Sequence, residues 1–220
     1  MMEQIKAVVQ EHLKDSAHDF AHTLRVYKNC LVIAEDMPSV DLELLSVASL
    51  LHDVAKIKED EDDTGGTDHA VLGAQMALSI LSDLGFETEF AEKVSDIISS
   101  HRYRADNPPQ TLEAKILFDA DKLDVLGAIG VARSFAIAGR YGQDLYNDIG
   151  VEEYIRDNLV GGTERGRIKD ISKHTPKMEF LLKLRHIPSR MFTQKGVQLA
   201  LERLEYMESF FKRLDLEILR

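Results

Sequence analysis

The chain has 220 residues, 44% of them hydrophobic, with 27 basic against 38 acidic side chains and a net charge of −11. That length buries a sizeable core without crosslinks, and the one cysteine, Cys30, excludes a disulfide framework and a cysteine-based zinc site. The acidic balance argues against stable nucleic-acid binding, which is built from many cationic contacts, but a few clustered cations would still serve a small phosphorylated ligand.

No apolar run approaches the ~20 residues of a membrane helix. The opening MMEQIKAVVQEHLKD carries acids where a signal peptide has an apolar centre, so no membrane association is expected and the cytoplasm is the expected compartment. Helical periodicity dominates, and it predicts helices over 2–14 and 19–36, parted at Asp15 and Ser16. A strongly apolar helix follows over 41–56, with Ser39 or Asp41 as its N-cap. After the acidic loop EDEDDTGGTD, helices are expected over 68–84, where Gly85 stops the run, and over 87–103, before Pro108-Pro109. Residues 111–126 are expected to continue as helix into LGAIGVARSF. The last helix spans 193–219, with Val197, Leu201, Leu204, Phe211, Leu214 and Ile218 at helical steps. Eight of the 13 glycines fall between 127 and 166, which marks that stretch as the place for a mobile cap. No segment alternates as a strand would, so the expected class is all-α, a single helical domain with a glycine-rich cap and a long C-terminal helix.

Four residues stand out as carriers of chemistry: His22 in HTLRV, the pair His52-Asp53 in LLHDVAK, and Asp121 in FDADKLD. Two imidazoles and two carboxylates on stiff elements form a nitrogen–oxygen set that suits Mn²⁺, Fe²⁺, Co²⁺, Ni²⁺ or Zn²⁺. Neighbours on a helix project about 100° apart, so an adjacent His-Asp pair can reach one point from a single helix edge. SVASLL carries that pair into the core, where an unpaired carboxylate costs several kcal/mol, so something must neutralise Asp53. A metal would do so, and so would a buried Arg or Lys. A second pair, His18-Asp19, stands at a helix start, where Asp19 serves most simply as a cap and His18 is a candidate for proton transfer.

The ordered set His22, His52-Asp53, Asp121, in the contexts HDFAHTLRV, LLHDVAK and DADKLDVLGAIGVAR, resembles the HD-domain metal-dependent phosphohydrolase superfamily. Among its branches the chain looks most like the small YedJ/YpgQ-like bacterial proteins, and the likeness runs over most of 15–215. The resemblance implies an HD-type core over about 15–130 and cap and C-terminal helices over about 131–220. It also implies a divalent ion, manganese as first choice, held by His22, His52, Asp53 and Asp121, with Asp119 and Asp124 as supporting neighbours. His69 and His101 fall where two-metal members carry further ligands. Those members pair two histidines at the later position where this chain has His101-Arg102, so one ion is expected, with His69 or His101 facing substrate.

Arg25, Lys56 and Lys122 follow the ligands at short spacing and would aim positive charge at a phosphate, with Arg102, Arg104, Arg133 and Arg140 flanking. The implied activity is hydrolysis of a small phosphorylated molecule, a nucleoside or deoxynucleoside triphosphate cleaved to monophosphate and pyrophosphate. His18, His69 and His101 are the candidates for proton transfer. Monophosphatase, cyclic-nucleotide and guanosine-tetraphosphate activities also occur on this fold, as does a non-catalytic nucleotide-binding module. An apolar face left open on the last helix would fit a homodimer. Asp60-x-Asp62-x-Thr64-Gly65 imitates a calcium loop, but Val71 stands where a bidentate Glu is needed, which leaves a solvated acidic loop beside the site. Cys30 reads as core. Phosphate-loop, dinucleotide and serine-hydrolase signatures are absent.

Overall fold

The computed structural model describes residues 1–13, 20–102, 107–164 and 166–218, and the fold is all-α. The helices are α1 (Met2–His12), α2 (Phe20–Ala34), α3 (Leu42–Leu51), α4 (Lys56–Asp60), α5 (His69–Asp83), α6 (Thr88–Ser99), α7 (Leu112–Leu123), α8 (Gly127–Arg140), α9 (Val151–Asn158), α10 (Pro176–Leu182) and α11 (Gln194–Ile218). Among the described residues the β-pairing is one isolated antiparallel bridge, Leu159 with Ile168. No helix among them is long and apolar enough to cross a membrane. The chain divides into two compact units, Met1–Asp124 with Met191–Gly196, and Val125–Arg190 with Val197–Arg220.

In the first unit α3 is the hub. Every residue from Leu44 to Leu51 is buried, and α1, α2, α6 and α7 pack around it. A helix covered on all sides has no polar face to spare, which is why this segment is apolar all round rather than striped. Its start is set by Asp41, whose carboxylate accepts from Leu44 N at 2.9 Å. Asp68 and Thr111 cap α5 and α7 in the same way. Gly85, at φ +80°, ends α5, with its own N–H and that of Phe86 returning to Ser82 O and Leu81 O. Gly73 lets α5 approach the turn after α3, since a Cβ there would meet His52 O at 3.3 Å.

Three predicted helices are shorter than expected, and the one over 87–103 stops at Ser99. The segment 41–56 leaves the α-helix at Leu51, because Val54 N bonds Leu51 O and Lys56 N bonds Asp53 O, three residues back rather than four. His52-Asp53 therefore sits in a tight turn between α3 and α4. Likewise 111–126 does not run on into LGAIGVARSF: α7 ends at Leu123, and Gly127, at φ +71°, opens α8 afresh. The expected break at Asp15 and Ser16, together with His18, Asp19 and Arg104, lies outside the described residues.

The second unit packs α8 against α10. Tyr154, Leu159, Met178 and Leu182 form its own apolar cluster, and the Tyr154 hydroxyl lies 2.7 Å from His174 Nδ1. On α11 Ala200, Met207 and Phe211 are buried, while Leu201 is exposed.

Candidate metal centre

Two helices and one turn of the first unit deliver the expected ligands. α2 carries His22, the turn after α3 carries His52 and Asp53, and α7 carries Asp121. His22 Nε2 lies 3.4 Å from Asp53 Oδ2 and 3.5 Å from Asp121 Oδ1, and His52 Nε2 lies 3.6 Å from Asp53 Oδ2. The tightest set is His22, His52 and Asp53, all buried, with Asp121 beside it through its contact to His22. The other oxygen of Asp53 faces a second pair. His69 Nε2 is 3.3 Å and His101 Nε2 3.6 Å from Asp53 Oδ1, and these three form a second buried group. The four rings follow one another as His22, His52, His101 and His69, with centroids 5.5, 5.2 and 5.1 Å apart.

Each ring has its Nδ1 tied to an acceptor. His22 donates to Asp124 Oδ2 at 2.7 Å, His52 to Ser49 O at 2.8 Å, His69 to Glu59 Oε2 at 2.7 Å and His101 to Ile98 O at 2.7 Å. With Nδ1 as the donor, Nε2 is the nitrogen that each ring turns toward Asp53 and could offer to an ion, and His69 Nε2 also lies 3.2 Å from His101 Nε2. His52 Nε2 is buried and has no hydrogen-bond partner. An orphaned imidazole nitrogen beside a buried carboxylate is what a divalent ion would satisfy, and the donors present fit one.

Electrostatics separates the rings. Burial works against charge on His22, but Asp124, Asp53 and Asp121 outweigh it and hold its pKa up at about 9. His52 has no such surplus, and burial pushes it down to about 4. Burial also opposes the charged form of Asp53, yet the imidazoles of His52, His101 and His22 keep its carboxyl well below the usual range.

The predicted cations are engaged with carboxylates around this cluster. Arg25 meets Asp124 through Nε at 2.7 Å and a terminal nitrogen at 3.0 Å. Lys56 Nζ reaches Glu59 at 2.7 Å and Asp60 at 2.6 Å. Lys122 Nζ lies 2.6 Å from Asp121 Oδ2 and 5.0 Å over the Phe118 ring. Arg102 meets Glu59 at 2.6 Å, Arg140 lies against Tyr141, and Arg133 lines a cleft of about 330 Å³ in the second unit. Asp119 is apart from this chemistry: it accepts from Phe192 N, Thr193 N and the Thr193 hydroxyl, and so anchors the start of α11. Asp62 serves its own loop, accepting from Thr64 N and Thr67 N. Sequence reasoning missed Glu59, which it left in the acidic loop. The one available signal was its place three residues after Lys56 on a short helical turn.

The HD-domain family model matches residues 19–126, a span that contains all five residues of the two groups and Asp121. The chain belongs to the HD-domain family. Over 222 aligned residues it is 29% identical to the uncharacterized protein YpgQ of Bacillus subtilis, covering 98% of this chain and 93% of that one. The crystal structure of YpgQ in complex with ADP superposes with a TM-score of 0.72 at 28% identity, over 98% of this chain and 94% of the other. An HD-superfamily hydrolase from Bacillus thuringiensis gives a TM-score of 0.71 at 29% identity, over 98% and 95%. These likenesses extend past the matched span and through the helices that follow it.

Proposed function

We propose that this HD-family hydrolase is a metal-dependent phosphohydrolase that cleaves a nucleoside or deoxynucleoside triphosphate to monophosphate and pyrophosphate. The observation that carries the reading is the convergence of four Nε2 atoms on the two oxygens of Asp53, one of them orphaned. His22, His52, Asp53 and Asp121 would hold the first divalent ion, with manganese the first choice. His69 and His101, with the second oxygen of Asp53, have the donors for another beyond the one ion expected, although Arg102 stands where two-metal members carry a further histidine. When bound, such an ion polarises a phosphoryl oxygen and acidifies a coordinated water toward neutral pH.

The chain's own side chains orient and balance charge. Asp124 holds the His22 ring in its ligating tautomer. Lys122, Lys56 and Arg25 stand around the cluster and would exchange part of their carboxylate pairing for phosphate oxygens as negative charge develops. His18 remains the candidate for proton transfer. The nucleotide class is supported by the ADP found with YpgQ.

The test is product analysis on the full chain with Mn²⁺ and a panel of ribo- and deoxyribonucleotides, beside Asp53→Ala and Asp121→Asn. Pyrophosphate and monophosphate are expected, lost in both variants with helicity unchanged by circular dichroism. Orthophosphate as product would replace the pyrophosphohydrolase reading with a phosphatase. Turnover that survives Asp53→Ala would remove the cluster from the reaction.

A further inference from the structure

We infer that Glu59 is the positioning residue of the His69–His101 pair, and that Arg102 acts on this pair through it. This rests on the reading of His69 and His101 as ligands.

The argument begins with where each ring finds an acceptor for its Nδ1 proton. His52 and His101 each have a turn of backbone behind them and use a carbonyl three residues back, Ser49 O and Ile98 O. His22 uses a carboxylate from a distant segment, Asp124. His69 is the first residue of α5, and the residues three and four before it, Gly66 and Gly65, belong to the loop. No helical turn precedes it, so the acceptor must come from elsewhere, and it is Glu59 Oε2 at 2.7 Å. Without it, the His69 ring would have no carboxylate to keep its proton on Nδ1, and Nε2 would present a proton instead of a lone pair to Asp53.

Glu59 is itself held from two sides. Lys56, one turn earlier on α4, donates to Oε2 at 2.7 Å, and Arg102 donates to Oε1 at 2.6 Å. Arg102 also lies 3.4 Å from Asp68 Oδ1, the oxygen that caps α5 through Ala70 N. The residue directly after His101 therefore grips both the cap of the helix that begins with His69 and the carboxylate that orients His69. Arg102 in this chain is a clamp on the second layer.

The proposal is tested on the metal-free full-length chain by long-range ¹H–¹⁵N NMR of the imidazoles. In the wild type His69 should carry its proton on Nδ1. Glu59→Ala should move it toward Nε2 while His22, His52 and His101 keep theirs, and Glu59→Gln, which retains an acceptor, should restore it. In Mn²⁺ titrations read by electron paramagnetic resonance, Glu59→Ala should weaken the ion that His69→Ala also weakens, by about 10–100-fold. Arg102→Ala should weaken it less, and the His22–His52 ion should be unaffected. A His69 tautomer indifferent to Glu59→Ala would overturn the proposal, as would all four rings changing together, which signals a folding effect. If the wild type takes up a single class of ion indifferent to His69→Ala, the ligand reading of the pair fails, whereas the tautomer comparison alone decides the role of Glu59.

Discussion

In His52→Leu the imidazole gives way to an apolar side chain at a position with no solvent exposure. Removing Nε2, which is buried without a partner, relieves a desolvation cost of about 1–3 kcal/mol. Losing the Nδ1 donation to Ser49 O forfeits about 0.5–1.5 kcal/mol, and the change of shape at nearly equal volume costs roughly 1 kcal/mol. The terms nearly cancel. In chelator the variant should unfold within about 1 kcal/mol of the wild type, where truncating an ordinary buried side chain loses about 2–5 kcal/mol. With Mn²⁺ the two chains part, because an ion at about 100 times its Kd stabilises the wild type by about 2.7 kcal/mol and has lost a ligand in the variant. Urea unfolding with chelator and with Mn²⁺ measures both differences. A variant that keeps the full ion-induced gain would refute the placement of His52 as a ligand. One that loses several kcal/mol in chelator would refute the claim that its Nε2 is a strained, unsatisfied atom.

Asp124→Asn replaces the acceptor shared by His22 and Arg25 with an amide that cannot serve both as well, and ion affinity should fall about 10–100-fold in a Mn²⁺ titration; unchanged affinity would show that the ring needs no such support. Asp119→Ala strands two buried donors of Thr193, at about 1–3 kcal/mol each before the relief of an unfavourably buried carboxyl. Its urea midpoint should drop accordingly, and a change under about 0.5 kcal/mol, the range of ordinary surface substitutions, would contradict the anchor. Burial pushes the Cys30 thiol far up, so it should resist alkylation in the native chain even at mildly alkaline pH and react fully on unfolding. Stoichiometric labelling under native conditions would place it outside the core.

Helix positions were legible where capping and periodicity agree, as at Asp41 and Gly85. They were not where a helix ends for tertiary reasons. Nothing in LLHDVAK announces that the ladder tightens after Leu51, since each residue there tolerates helical dihedrals and the turn is fixed by the surrounding elements. The stop at Leu123 had a local cue in Gly127, whose positive φ is easy for glycine, but an apolar periodic run on both sides masked it. The same limit applies to α11, where apolar spacing included Leu201, which is exposed, and passed over Ala200 and Met207, which are buried.

For the centre, residue types and order pointed to His22, His52, Asp53 and Asp121, and the structure gathers all four. What could not be read were the partners that fix the rings, because His22 and Asp124 are 102 positions apart and Glu59 reaches His69 across a loop. Charge arrangement was equally hidden. Arg25, Lys56, Lys122 and Arg102 look in sequence like spare cations for a phosphate, yet each is matched by a carboxylate: Asp124, Glu59 with Asp60, Asp121, and Glu59 with Asp68. Among the described residues, Asp53 faces only imidazoles, with no lysine or arginine in ion-pair contact. Among them, the only charge set against this buried carboxylate is the His22 ring, which Asp121 and Asp124 also claim. This is the physical reason to expect a divalent ion at Asp53 rather than a structural ion pair, and it follows from where the other charges are spent.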